Sequence, residues 1–108
     1  MSTRDFDQYL GGTWTPAASG ARRTVHSPYD WREVGSVAVS EVTDAERAIA
    51  LAEGSFAETR RLPVHLRHDI LRQIESAIGE RREVLAQGIT DEAGKPIREA
   101  RAEVDRAR

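Results

Sequence analysis

The chain contains no cysteine among its 108 residues. Disulfide bonds, thiolate nucleophiles and zinc sites built on cysteine are therefore excluded. Leucine, isoleucine, valine and phenylalanine together supply only 22 residues, about a fifth of the chain. That share is at the low edge for a self-sufficient hydrophobic core, so the chain is one small domain or part of a larger one.

The chain also lacks an excess of charge of one sign and lacks a long apolar run. Charged residues make up 31% of the sequence, yet the net charge is only -2. A nucleic-acid partner is not expected, because such proteins carry a basic excess or a basic stripe. No apolar run approaches the roughly 20 residues that span a bilayer, and the opening residues lack the apolar core of a signal peptide. We expect no membrane partner and a cytoplasmic location.

The composition changes near residue 43 and divides the chain into two segments. Segment 1–42 is rich in glycine, proline, tryptophan and β-branched residues, and segment 43–108 is rich in alanine, leucine, isoleucine and charged residues. This pattern predicts an α+β fold, with a short N-terminal hairpin and strands followed by about four helices. We interpret 43–108 as part of a larger domain.

Segment 1–42 contains three strand signals. Gly11 and Gly12 lie between short strand-like pieces and predict a tight hairpin, because glycine tolerates positive φ. A second strand is expected at 24–27. A third extended run is expected over 34–42, where valines recur but do not all alternate in phase.

Segment 43–108 contains the helix signals. Thr43 and Glu46 have the spacing of a capping box and predict the start of the first helix. The second helix carries an apolar stripe at four-residue spacing, with Gly79 expected to weaken or end it, and the third runs from about residue 80 to 93. Gly94 fits the position just past a helix end. The stripe of the second helix comprises Leu66, Ile70, Ile74 and Ile78, and the predicted buried face of the fourth helix comprises Ala100 and Val104.

Gly94 and Lys95 superficially suggest a phosphate-binding loop. A Walker A loop needs glycine where Ile89 stands and a hydroxyl residue where Pro96 stands, so we interpret this segment as a helix corner. No Gly-x-Gly-x-x-Gly or Gly-x-Ser-x-Gly motif occurs elsewhere.

The remaining candidate groups have ordinary structural explanations. His65 and His68 could share one helix face, but a zinc site needs further ligands that the sequence does not supply. Glu99, Glu103 and Asp105 are interpreted as a solvated helix surface rather than acid–base groups. Trp14 and Trp31 are assigned to hairpin and turn packing. From the residues alone we predict no catalytic, cofactor-binding or metal site in this chain.

Five segments, in order, resemble the N-terminal region of the NAD(P)-dependent aldehyde dehydrogenase superfamily. Residues 9–14 are similar to its opening Gly-Gly-x-Trp strand, and 27–37 to its Asn-Pro…Gly-x-Val segment. Residues 43–52 resemble its first helix, and 62–71 the Leu-Pro-x-x-x-Arg-x-x-x-Leu entry to the next helix. Residues 92–104 resemble its Glu-Ala-Gly-Lys-Pro corner and the helix after it.

Two residues depart from the family pattern. Ser27 stands in place of the usual asparagine before proline, and Trp31 stands where the family often has a glycine. The turn around Trp31 is therefore expected to differ in shape.

The resemblance implies a parent fold of the α/β type with a Rossmann-type cofactor-binding domain, of which 43–108 is expected to be a part, in an enzyme expected to be a homo-oligomer. It implies NAD or NADP as the cofactor and oxidation of an aldehyde through a cysteine thiohemiacetal, with a glutamate as general base. Those groups have no matching position here, so the chain alone is expected to be inactive, and we expect no cofactor in it.

The last residues read as a helix that the chain's end interrupts, which predicts an N-terminal fragment of such an enzyme. Its expected partner is the rest of the parent enzyme, or a second copy through exposed apolar helix faces. The alternative is a stand-alone helical module that binds a partner protein.

Overall fold

The structure is a computed structural model that describes residues 4–108. It confirms the α+β class, with five short strands followed by four helices in the described part of the chain. The chain divides into two compact units, the first comprising residues up to 26 together with 33–61, and the second comprising 27–32 and 62–108. The elements are β1 (Arg4–Phe6), β2 (Gln8–Leu10), β3 (Thr13–Thr15), β4 (Arg22–His26), β5 (Glu33–Ala38), α1 (Val42–Thr59), α2 (Val64–Glu80), α3 (Arg82–Ala93) and α4 (Ile97–Arg106).

The predicted hairpin is confirmed in the first unit. Strands β2 and β3 pair antiparallel around Gly11 and Gly12, whose φ angles are 58° and 84°. Both angles lie in the left-handed region that glycine adopts at little cost. Trp14 packs in this hairpin against Tyr9 and Phe6, with ring centroids 5.1 and 6.0 Å apart.

The other strands form a sheet of order β1-β5-β4, in which β1 runs parallel and β4 antiparallel to β5. The sequence predicted β4 and most of β5 but not β1. Strand β5 ends at Ala38, so the prediction that it extends through Val39 to Val42 was wrong. At Gly35 the neighbouring strand comes so close that a Cβ atom would lie 1.9 Å from the Arg4 carbonyl oxygen. Only glycine permits this pairing.

The start of α1 also differs from its prediction. The helix begins at Val42 rather than Thr43, and its N-cap is Glu41. The capping pair is therefore Glu41 with Asp44, not Thr43 with Glu46, and the Asp44 carboxylate accepts a hydrogen bond from the Glu41 N–H at 2.9 Å.

Asp44 joins three parts of the first unit. Its carboxylate, on a residue only 6% exposed, also accepts hydrogen bonds from the Gln8 side chain at 2.8 Å and the Ala18 N–H at 3.1 Å. The Glu41 N–H, then Gln8 and the Ala18 N–H, lower the pKa of Asp44 from its usual 3.8, because each stabilises the charged form. The hairpin, the 16–21 loop and the start of α1 are thus held by one carboxylate.

The second unit is built around the packing of α3 against α4. Ala86, Ala100 and Val104 are buried, as predicted for the last two, and three isoleucines pack against them. The small alanines allow the two helix axes to approach closely. Gly94 ends α3 with φ 68°, which confirms the predicted left-handed position, whereas Gly79 does not end α2, which continues to Glu80.

Helices α1 and α2 keep most of their apolar side chains exposed. None of the residues of α2 is buried, and Asp44 is the only buried residue of α1. Within the described part of the chain no helix is long and apolar enough to cross a membrane. On α2 the exposed apolar side chains at three- and four-residue spacing, called here the open stripe, are Leu66, Ile70, Leu71 and Ile74, and on α1 Ile49 and Phe56 are among those exposed.

Candidate functional site

A cleft of the second unit lies between the 27–32 turn and the corner where α3 ends. It encloses about 370 Å³. One wall is the turn and the other is the last part of α3 with the Gly94–Pro96 corner. The lining residues are Ser27, Tyr29, Asp30, Arg32, Gln87, Thr90, Asp91, Gly94, Lys95 and Pro96.

Asp91 is the central polar residue of the cleft and is only 3% exposed. Its Oδ1 atom accepts a hydrogen bond from the Arg32 guanidinium at 2.5 Å and one from the Gln87 side chain at 3.0 Å. Within the described residues, Asp91 Oδ2 and Thr90 Oγ1 are buried without a hydrogen-bond partner. Such unsatisfied buried polar atoms are uncommon in native proteins.

The turn that forms the other wall is held by its own backbone. The Ser27 N–H donates to the Arg32 carbonyl at 2.9 Å, and the Trp31 N–H donates to the Ser27 carbonyl at 2.9 Å. The Arg32 N–H donates to the Asp30 carboxylate at 3.2 Å. Trp31 has φ 61°, so the turn adopts the left-handed conformation although a tryptophan stands there.

The Gly94–Lys95 segment does not form a phosphate cradle. The Gly94 N–H donates to the Thr90 carbonyl at 2.9 Å, which uses it as a helix cap. The Lys95 ammonium pairs with Glu103 on α4, and this ion pair lowers the pKa of the Glu103 carboxyl. Both groups that a phosphate would need are thus engaged within the helix corner.

The other candidate groups lie at the surface. His65 and His68 are exposed on α2, and His68 approaches Asp69 at 3.3 Å. Glu99 is exposed at the start of α4, and Asp105 pairs with the Arg82 guanidinium at 2.6 Å. No group of three or more His, Asp or Glu side chains that could hold a metal ion occurs among residues 4–108.

The cleft therefore presents one ion pair, Arg32 with Asp91, and two buried oxygen atoms that lack a partner among the described residues. The contact between Arg32 and Asp91 was not predicted, since the two residues are 59 positions apart and lie in no shared motif. No local sequence pattern links the two residues.

Comparison with known proteins assigns the chain to a family. The sequence model of the Aldehyde dehydrogenase family matches residues 14–108. The chain belongs to the aldehyde dehydrogenase family. It is 33% identical to malonate-semialdehyde dehydrogenase 1 of Oceanobacillus iheyensis over 104 residues, covering 96% of this chain and 21% of that protein.

Solved structures of aldehyde dehydrogenases match the fold closely. Betaine aldehyde dehydrogenase from Staphylococcus aureus, solved in complex with NAD+, superposes with a TM-score of 0.87 and 32% identity, covering 92% of this chain and 20% of that one. An NAD-dependent aldehyde dehydrogenase from Sinorhizobium meliloti superposes with a TM-score of 0.90 and 27% identity. The match covers 95% of this chain and 21% of that one. The chain thus spans about a fifth of the length of the aldehyde dehydrogenases it matches.

Proposed function

We propose that this chain serves as the N-terminal structural part of an NAD(P)-dependent aldehyde dehydrogenase. The observation that carries the proposal is the match over nearly the whole chain, at TM-scores of 0.87 and 0.90, to only a fifth of two such enzymes. In the parent, an aldehyde would be oxidised to the acid with NAD or NADP as the oxidant. The substrate class is open, since the matched relatives act on different aldehydes.

The chemistry of the parent would reside outside this chain. The family's nucleophile is a cysteine thiolate, and this sequence has no cysteine. At the helix corner the Gly94 N–H and the Lys95 ammonium are engaged with Thr90 and Glu103, so neither group is free for a dinucleotide phosphate. We infer that the chain alone neither oxidises aldehydes nor binds NAD(P) in the family's manner, and that its role is structural.

The open stripe supports the proposal that this chain is one part of a larger structural unit. Leu66, Ile70 and Ile74 on α2 are 41%, 46% and 50% exposed. Apolar side chains recurring along one helix face are normally covered by another element. We propose that the rest of the parent enzyme covers them, that the parent is a cytoplasmic homo-oligomer, and that the isolated chain self-associates or is only marginally stable.

An activity assay tests the functional proposal. The purified chain is incubated with NAD+ or NADP+ and with malonate semialdehyde, succinate semialdehyde or betaine aldehyde, and reduced cofactor is followed by absorbance. A complete aldehyde dehydrogenase serves as the positive control. We expect no reduced cofactor above the background of the reagents. If the purified chain, which contains no cysteine, reduced NAD+ or NADP+ in the presence of an aldehyde, the proposal would be overturned.

Self-association separates this proposal from the alternative of a stand-alone interaction module. Sedimentation velocity over a range of concentrations compares the native chain with an Ile70→Ser, Ile74→Ser variant. Gln73→Ser, at an exposed polar position on the same helix, is the matched control. We expect the double variant to shift toward monomer and the control to behave as the native chain. A native chain that stays monomeric at every concentration and melts sharply would favour the stand-alone module.

A further inference from the structure

Three aromatic side chains of the first unit meet where β1 leads into the hairpin. Phe6 ends β1, and Tyr9 and Trp14 lie opposite each other on β2 and β3. The Trp14 ring is tilted by 40° to that of Phe6 and by 55° to that of Tyr9. Phe6, Tyr9 and Trp14 are 47%, 60% and 60% exposed. An exposed aromatic cluster of this kind marks a surface that can bind a ligand or partner.

A pocket of about 340 Å³ opens beside two of these rings. Two aromatic and two acidic side chains line it, namely Asp5, Phe6, Asp7 and Trp14. Asp7 forms an ion pair with Arg22 at 2.6 Å, whereas the partner described for Asp5 is the uncharged Ser36 hydroxyl, which donates to it at 2.7 Å. The hydrogen bond from Ser36 leaves the negative charge of Asp5 in place. The pocket therefore combines aromatic rings with negative charge.

This combination fits an organic cation. The face of an aromatic ring carries partial negative charge and attracts a cation within about 6 Å of the ring centroid, with tryptophan the strongest of the three aromatic residues. A quaternary ammonium group suits such a pocket, because its methyl groups pack against the rings and it has no N–H donor that must be satisfied. The Asp5 carboxylate adds attraction for the positive charge and disfavours an anion.

We propose that the pocket beside Phe6 and Trp14 is a binding site for a small quaternary ammonium compound. The two rings contact the methyl groups of the ligand, and Asp5 supplies the opposite charge. Because both rings are partly exposed, the dissociation constant is on the order of millimolar. This site goes beyond the structural role proposed above and does not depend on it.

Titration of the full chain with choline tests the site. The indole N–H signals of Trp14 and Trp31 are followed by NMR at constant ionic strength. Trp31 is 74% exposed in the second unit and reports non-specific contact of the ligand with an indole ring. The matched ligand control is the neutral analogue of choline in which a tert-butyl group replaces the trimethylammonium group. We expect a saturable shift of the Trp14 signal with choline, a smaller shift of Trp31, and at least about fivefold weaker binding of the neutral analogue.

Three variants make the test specific. Asp5→Asn removes the charge but keeps an oxygen that can accept from Ser36, and Phe6→Leu removes one ring but keeps an apolar side chain. Each should weaken choline binding at least about twofold. Asp69→Asn, the same change at an exposed aspartate on α2, should leave binding unchanged. The proposal is overturned if the neutral analogue binds as tightly as choline, if Trp31 responds as Trp14 does, or if Asp5→Asn binds choline as the native chain does.

Discussion

Gly35→Ala should detach β1 from the sheet of the first unit. The added Cβ would lie 1.9 Å from the Arg4 carbonyl oxygen, a backbone atom that cannot rotate away as a side chain can. Strand β1 would have to leave its register, in which Arg4, Asp5 and Phe6 lie opposite Gly35, Ser36 and Val37. At about 1 kcal/mol for each lost hydrogen bond, the free energy of unfolding should fall by roughly 2–3 kcal/mol.

The matched control is Gly54→Ala in α1. Gly54 has no atom within 4 Å of an added Cβ and lies inside a helix, so alanine should raise the free energy of unfolding by about 0.5–1 kcal/mol. The two glycines belong to the same unit, and the same chemical change is expected to act in opposite directions. Urea unfolding followed by circular dichroism measures both. If Gly35→Ala unfolds at the same urea concentration as the native chain, the close approach of β1 to β5 is refuted.

Three further outcomes are expected. Gly94→Ala should lower the free energy of unfolding by about 1–2 kcal/mol because of the positive φ, and by more because the added Cβ would lie 2.9 Å from Pro28. The same urea assay measures this loss, and an unchanged midpoint would contradict the corner geometry. Val104→Ala should cost about 2 kcal/mol, because Val104 is 4% exposed in the α3–α4 core; a change near zero would show that this core is not formed. Circular dichroism during acid titration should show stability falling below pH 4.5, since Arg101 lowers the pKa of Glu83 and Arg82 that of Asp105.

The sign of the acid effect follows from proton linkage. A carboxyl whose pKa is lower in the folded chain binds its proton more readily when unfolded, so acid favours unfolding. The stabilisation is complete above the usual values of 4.5 for Glu83 and 3.8 for Asp105, and it is lost as the pH falls toward the folded values. High salt should weaken the effect, because both pairs lie at the surface. Stability that rises on acidification would contradict these ion pairs.

The sequence predicted the helices and their corner because those signals are local. Gly94 is followed by Pro96, and the apolar residues of α2 and α4 recur at helical spacing, so the pattern is contained in a few neighbouring positions. The N-cap of α1 was predicted at Thr43, two residues after the observed N-cap Glu41. An acidic residue stands three positions after both Glu41 and Thr43, and only the packing of Asp44 against the hairpin decides between the two boxes.

The remaining features depend on contacts between distant residues. Strand β1 has only three residues, and it exists because Gly35 lets a parallel neighbour come close. The Arg32–Asp91 pair joins a turn to a helix without any shared motif. The left-handed conformation of Trp31 contradicts the residue's own preference, so local propensity could not have predicted it.

A chimera tests the central claim most directly. In malonate-semialdehyde dehydrogenase 1 of Oceanobacillus iheyensis, the matched section, 21% of that protein, is replaced by this chain, and aldehyde-dependent reduction of NAD+ is measured. A second chimera carrying Gly35→Ala is the control for correct seating of the first unit. We expect an active chimera and a less stable control. A folded chimera that binds no cofactor and reduces none would contradict the claim that this chain is a structural part of an aldehyde dehydrogenase.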